Sequence, residues 1–200
     1  MSDRLAHFDD WANTCDADIA TAGGFPFAGY ERALAHVVDL ADPRPGDRVL
    51  DLGIGVGHLA ARFEELRCVV TGVDFSPAML GQAARRVPSA TLHKMDLLGD
   101  GAPLVGQRFA TVASGYVLHQ FDDVTKLTIL ERVLNGHLLD DGQLIIADIA
   151  FETRTDAGHV AARSTGGTTQ STTGLWTRQR IRSKLRVYGC RSRRCRSALV

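Results

Sequence analysis

Cysteine is scarce in this chain of 200 residues: Cys15, Cys68, Cys190 and Cys195 are widely scattered. The closest pair, C-x4-C, has no second half that would complete a zinc site, so all four read as free thiols and no metal is expected. Long apolar runs are missing too. Nothing approaches the ~20 residues needed to span a bilayer, and Met1-Ser-Asp-Arg-Leu5 lacks the basic start and apolar core of a secretory leader. A cytoplasmic protein without membrane contact is the expectation. Net charge is absent as well, 23 Lys and Arg balancing 23 Asp and Glu. The balance conceals two unlike parts, because residues 1–150 carry 12 basic and 21 acidic side chains whereas 151–200 carry 11 and 2.

What is present is ordinary for one globular α/β domain: 44% hydrophobic and 23% charged residues. The chain is organised around Val49-Leu-Asp-Leu-Gly-Ile-Gly-Val-Gly-His-Leu-Ala60, an apolar strand running into Asp51, three alternating glycines, and the start of a helix. Gly53, Gly55 and Gly57 allow a tight turn and a close approach of backbone to a bound molecule. A dinucleotide fingerprint, G-x-G-x-x-G, started at Gly53 or Gly55 meets His58 or Ala60 where its third glycine belongs. A phosphate-cradling loop would need Gly-Lys-Ser/Thr, which Gly57-His58-Leu59 does not supply. The loop is therefore of the D-x-G-x-G-x-G type.

Around it, strand and helix patterns alternate, which predicts parallel βαβ units. Strands are expected at Arg48–Leu52, Cys68–Val73, Ala90–Lys94, Phe109–Ser114 and Gln143–Ile149. Helices are expected at Tyr30–Leu40, Leu59–Leu66, Ser76–Arg86 and Asp122–Asn135, with Ser76 as N-cap and Pro77 at the first helical position. Right-handed crossovers bring the strand carboxyl ends to one rim, where ligands bind. Asp74, closing the second strand, is placed there to accept both hydroxyls of a ribose.

The order D-x-G-x-G-x-G, Asp74, Lys94-Met-Asp-Leu97 and Ala110-Thr-Val-Ala-Ser-Gly-Tyr-Val-Leu-His-Gln-Phe121 resembles the motif series of the class I, Rossmann-like S-adenosylmethionine-dependent methyltransferases. His7-Phe-Asp-Asp-Trp-Ala-Asn-Thr-Cys-Asp16 is similar to the family's F-D-x-W-A-x-x-Y-D, with Cys15 in place of a Tyr that often covers the cofactor. Leu138-Leu-Asp-Asp-Gly-Gln-Leu144 resembles its L-x-P-G-G-x-L loop. The resemblance spans residues 5–152. It implies an α/β, doubly wound, mostly parallel sheet and S-adenosylmethionine as cofactor. It also implies a cofactor site of Asp51, Gly53, Gly55, Gly57, Asp74, Phe75, Met79, Asp96, Leu97 and Ser114. Asp96 corresponds to the acceptor for the adenine amino group, and Leu97 and Met79 would flank the ring. Methyl transfer needs alignment and water exclusion above all. His119 is the nominee for general base if the acceptor is a hydroxyl or amine.

Beyond Phe151 the resemblance ends. The family's closing antiparallel strands are expected to be missing or divergent, leaving the fifth strand with an open edge. Ser164-Thr-Gly-Gly-Thr-Thr-Gln-Ser-Thr-Thr-Gly174 and Arg191-Ser-Arg-Arg-Cys-Arg196 leave only 16 apolar residues among the last 50. No strand alternation exceeds Lys184-Leu-Arg-Val-Tyr188. The organisation expected is a helical cap (1–47), a cofactor domain (48–152) and a disordered basic tail (153–200). The function expected is methyl transfer to a small-molecule acceptor. The alternatives are a noncatalytic cofactor-binding remnant or an RNA-binding methyltransferase using the basic tail.

Overall fold

The computed structural model describes residues 2–21, 27–149 and 185–190. Three helices, α1 (Ser2–Trp11), α2 (Cys15–Thr21) and α3 (Tyr30–Ala41), precede the alternating region. There follow β1 (Arg48–Leu52), α4 (His58–Glu65), β2 (Val69–Asp74), α5 (Pro77–Arg86), β3 (Thr91–Lys94), β4 (Phe109–Gly115), α6 (Asp123–Gly136), β5 (Leu138–Ile149) and β6 (Leu185–Cys190). The strands lie in the order β3-β2-β1-β4-β5-β6, and every neighbouring pair is parallel. Strand order reverses between β1 and β4, which opens a crevice at their carboxyl ends.

Parallel strands are covered on both faces, so side chains on either side of the pleat are apolar. Leu50, Leu52, Val112, Leu144 and Ile146 point into one core with Ile129, Leu130 and Val133 of α6. Val49, Val70, Ala113 and Ile145 point the other way, against Leu34 and Val37 of α3 and Leu59 and Phe63 of α4. A smaller cluster of Ala12, Cys15, Val56 and Met79 docks α1 and α2 on the glycine loop and α5. Ser76 caps α5 as its sequence predicts, its hydroxyl accepting from the Met79 amide at 3.1 Å with Pro77 behind it.

Three expectations need correction. Residues 7–16, which by their resemblance to the family's F-D-x-W-A-x-x-Y-D segment are expected to form one short helix, belong to two, broken at Ala12–Thr14. There the Thr14 hydroxyl and the Trp11 indole both donate to the Asp18 carboxylate, at 3.0 and 2.8 Å, a local bond that competes with a continuous helix. The stretch Asp140-Asp141-Gly142, read as a loop before the fifth strand, lies inside β5. It forms an irregularity there, the register stepping from Phe109↔Leu138 to Thr111↔Gln143. A Cβ at Gly142 would stand 2.9 Å from the Phe109 carbonyl oxygen and 3.0 Å from the Leu139 backbone, so glycine is what lets the strand fold back on itself. Finally, β5 has no open edge, because Leu185–Cys190 pairs along Leu144–Ile149. The strand arises from the short alternation at 184–188, and it is parallel, so the closing edge diverges from the family's antiparallel strands and is not missing. The remaining tail, and the nucleic-acid contact considered for it, lie outside the described residues.

Candidate active site

A cleft of about 860 Å³, counted with the space open to solvent, lies at the carboxyl rim of β1, β2 and β4 and is roofed by α1, α2 and α3. The glycine loop forms its floor. Gly53 (φ 71°) sits so close to the β4 side that an added Cβ would fall 2.5 Å from a Val117 methyl, while Gly55 (φ 54°) faces open space. Both need the left-handed backbone that glycine adopts without strain. The Gly53 and Ile54 amides donate to the Val73 carbonyl at 2.9 Å, tying the loop to β2.

Two carboxylates lie beneath it. Asp74 accepts from the Gly55 amide through Oδ2 and from the Ser76 amide through Oδ1, both at 2.9 Å. Burial raises its pKa and these backbone hydrogen bonds oppose the rise. Asp51, 1% exposed, leaves Oδ2 without a hydrogen-bond partner among the described residues. Its carboxyl is pushed up from 3.8 to about 7, first by burial and then by the charge of Asp74, against a hydrogen bond from the Ala60 backbone.

At one end of the cleft Phe75, Met79, Asp96 and Leu97 form a slot, over which Arg4 reaches from α1. At the other end Trp11 stacks on Phe27 at 5.9 Å, and Tyr30 packs on Tyr116 at 4.9 Å. These rings make an aromatic wall beside Cys15, the position where the resemblance had a tyrosine. Cys15 is buried, and desolvation first, then Asp16 and Asp18, push its thiol up to about 12, which leaves it a packing residue. The Tyr30 hydroxyl lies 3.1 Å from His58 Nδ1, and His58 Nε2 lies 3.0 Å from Asp16. An ionised Asp16 only accepts, so in the neutral ring Nε2 carries the proton and Tyr30 donates to Nδ1. Burial first, then Arg86, lowers the His58 pKa and keeps the ring neutral.

Eight of the expected site residues therefore share one cleft: Asp51, Gly53, Gly55, Asp74, Phe75, Met79, Asp96 and Leu97. Three do not line it. Gly57 (φ 91°) takes the turn into α4 and packs toward Ala83 and Val87 of α5. Ser114 is buried, its hydroxyl donating to the Leu52 carbonyl at 3.0 Å and so joining β4 to β1. His119 stands past the end of β4, where buried Asp148 of β5 accepts from its backbone amide at 2.8 Å and lies 2.7 Å from its Nδ1. Asp148 was not read from the sequence, and neither were Arg4, Tyr30 and His58 as site residues. Asp148 is seven residues beyond the Asp140-Asp141 pair and had no local motif to mark it.

Residues 49–136 match the model of a methyltransferase domain. An uncharacterized methyltransferase of Bacillus velezensis is 31% identical over 152 residues, which cover 72% of this chain and 67% of the relative. The chain belongs to the class I, Rossmann-like S-adenosylmethionine-dependent methyltransferases. A second uncharacterized methyltransferase, of Alkaliphilus oremlandii, is 29% identical over 161 residues, covering 76% of this chain and 70% of its own length. Among solved structures, the DhpI–SAH complex matches with a TM-score of 0.58 at 20% identity, over 74% of this methyltransferase and 68% of that chain, a likeness of fold. The enzyme is thus a methyltransferase whose family cofactor is S-adenosylmethionine. No described helix is long and apolar enough to cross a membrane.

Proposed function

We propose that this methyltransferase binds S-adenosylmethionine in the cleft described and moves a methyl group to a small-molecule acceptor by in-line displacement. The observation that carries the reading is Asp51, a buried carboxylate with an unmatched oxygen at the foot of a glycine loop. A buried polar atom without a partner is costly, and the methionine ammonium of the cofactor is a group of the right charge to satisfy it. The space over Gly55 and the first turn of α4 suit the methionine carboxylate. Asp74 accepts backbone amides of the loop through both oxygens, and its remaining lone pairs suit the ribose hydroxyls. Phe75, Met79 and Leu97 flank the adenine, and Asp96 accepts from its amino group. Gly57 and Ser114 serve indirectly, by fixing the turn into α4 and the pairing of β1 with β4.

When bound, the cofactor supplies a methyl carbon already activated by a sulfonium leaving group. The chain's own task is alignment and exclusion of water, and the wall of Trp11, Phe27, Tyr30 and Tyr116 supports both. For a hydroxyl or amine acceptor held at the mouth of the cleft beside Gln120 and Phe121, which line it, the neighbouring His119 is the proton acceptor. The Asp148 carboxylate accepts a hydrogen bond from Nδ1–H, so the neutral ring presents its lone pair at Nε2. Titration calorimetry with S-adenosylhomocysteine tests the site. Heat with this compound and none with a nicotinamide dinucleotide is the expected result; no heat from folded protein refutes the reading. Methyl transfer to members of a small-molecule panel then separates an active enzyme from a noncatalytic binder.

A further inference from the structure

Among the described residues, Arg4 is the one guanidinium that lines the cleft, and it sits in the slot assigned above to adenine. Its Nη2 donates to both carboxylate oxygens of Asp96 at 3.3 Å, and Asp96 Oδ1 also accepts from the Leu98 amide at 3.0 Å. The guanidinium carbon lies 4.4 Å above the centre of the Phe75 ring and 5.5 Å from that of Phe121. A guanidinium is flat, stacks on aromatic faces and presents N–H donors at its edge. An adenine ring with its amino group makes the same two demands, a flat apolar face and a carboxylate acceptor.

The helix that carries Arg4 is pinned elsewhere. Asp9 Oδ1 accepts from the Ser76 hydroxyl at 2.5 Å and from the Ala78 amide at 3.4 Å, and Phe8 meets Phe75 edge-on at 5.3 Å. Residues 8 and 9 are more than one helical turn from Arg4. The side chain can leave the slot while α1 stays docked.

We propose that Arg4 gates the adenine slot: it occupies Asp96 and the face of Phe75 in the free protein and yields both when an adenine ring enters. The proposal rests on the assignment of the cleft to S-adenosylmethionine. Losing the partly exposed ion pair with Asp96 and the closer cation–π contact, that with Phe75, before binding lowers apparent affinity roughly three- to thirtyfold.

The test compares the full chain with Arg4→Met, which keeps an apolar stem over Phe75, and Arg4→Lys, which keeps the charge but not the flat stack. Calorimetry measures S-adenosylhomocysteine affinity, and stopped-flow Trp fluorescence measures its association rate. Arg4→Met is expected to bind roughly three- to thirtyfold more tightly and to associate faster, with Arg4→Lys in between. Binding by Arg4→Met alone supports the gate as well. Equal affinity overturns it, and weaker binding by Arg4→Met overturns it by making Arg4 a ligand group that stays in the slot. Absence of binding by all three proteins, each with intact circular dichroism, overturns the assignment of the cleft and the gate together.

Discussion

Replacing Asp51 with Asn should make the free enzyme more stable above neutral pH and at the same time less able to hold its cofactor. The carboxyl is 1% exposed, and burial followed by the charge of Asp74 pushes it up from 3.8 to about 7. A carboxyl raised in the folded state stabilises fully below its unfolded pKa and loses that contribution as pH rises through the folded value. Asp51 is therefore neutral and tolerated near pH 4, and an ionised burden at pH 8. The distance from 3.8 to about 7 corresponds to about 4 kcal/mol, a ceiling because Asp51 and Asp74 titrate against each other. The amide of Asn still leaves polar atoms buried, so a gain of about 1–3 kcal/mol at pH 8 is expected, shrinking toward zero near pH 4. Urea unfolding at several pH values measures it. Calorimetry with S-adenosylhomocysteine should show weaker binding for the same variant, because the carboxylate proposed to face the ammonium has lost its charge. A variant that is destabilised at pH 8, or that binds like the parent, refutes the reasoning.

Asp74→Ala should weaken S-adenosylhomocysteine binding by ~1.5–3 kcal/mol, the range for hydrogen bonds to a charged group, with the thermal transition still cooperative. Calorimetry and a melting curve check both halves. Asp148→Asn should disturb the His119 tautomer, visible in the ring ¹⁵N shifts. With any acceptor that needs deprotonation it should lower kcat by ~10²-fold or more while KM changes little. His58 has a lowered pKa, so its neutral form is favoured by folding. Burial first, then the charge of Arg86, lowers that pKa, and the stability carried by the neutral ring is present above the ordinary histidine value of 6.5 and is lost as pH falls through the lowered folded value. Arg86→Met should flatten that acid limb of the stability profile in urea unfolding, and an unchanged limb would show that the charge does not matter.

Local chemistry made some elements legible. The run Arg48–Leu52 matched its strand to the residue, and Ser76-Pro77 opened its helix where cap and N1 residues belong. Eight of the eleven site residues read from motifs line one cleft because those motifs sit at strand ends that the crossover rule gathers on one rim. Side chains brought in from far along the chain left no such signal. Arg4 meets Asp96 across 92 residues, and His119 meets Asp148 across 29, and neither partner's neighbours advertise the contact. Ser114 lies off the lining of the cleft for a different reason. A hydroxyl inside a buried parallel strand needs an acceptor, and the Leu52 carbonyl next door supplied it before any ligand could.

The strand Leu185–Cys190 shows where a compositional argument stops working. Mean polarity and a scarcity of apolar residues argue that a segment cannot bury enough surface to order itself. A sheet edge changes that balance, because it offers a row of backbone donors and acceptors that any chain with a few residues of extended propensity can satisfy. Six register pairs, from Leu144↔Leu185 to Ile149↔Cys190, place Leu-Arg-Val-Tyr-Gly-Cys along β5. The hydrogen bonds come from the backbone, so the side-chain composition that marked the tail as unlike the body had little say in whether the strand could pair. Parallel pairing requires a long crossover from the end of β5, and the 35 residues between Ile149 and Leu185 are ample for one. The closing edge of this methyltransferase thus follows the parallel rule of the strands before it, where the sequence pointed to closing strands that were missing or divergent.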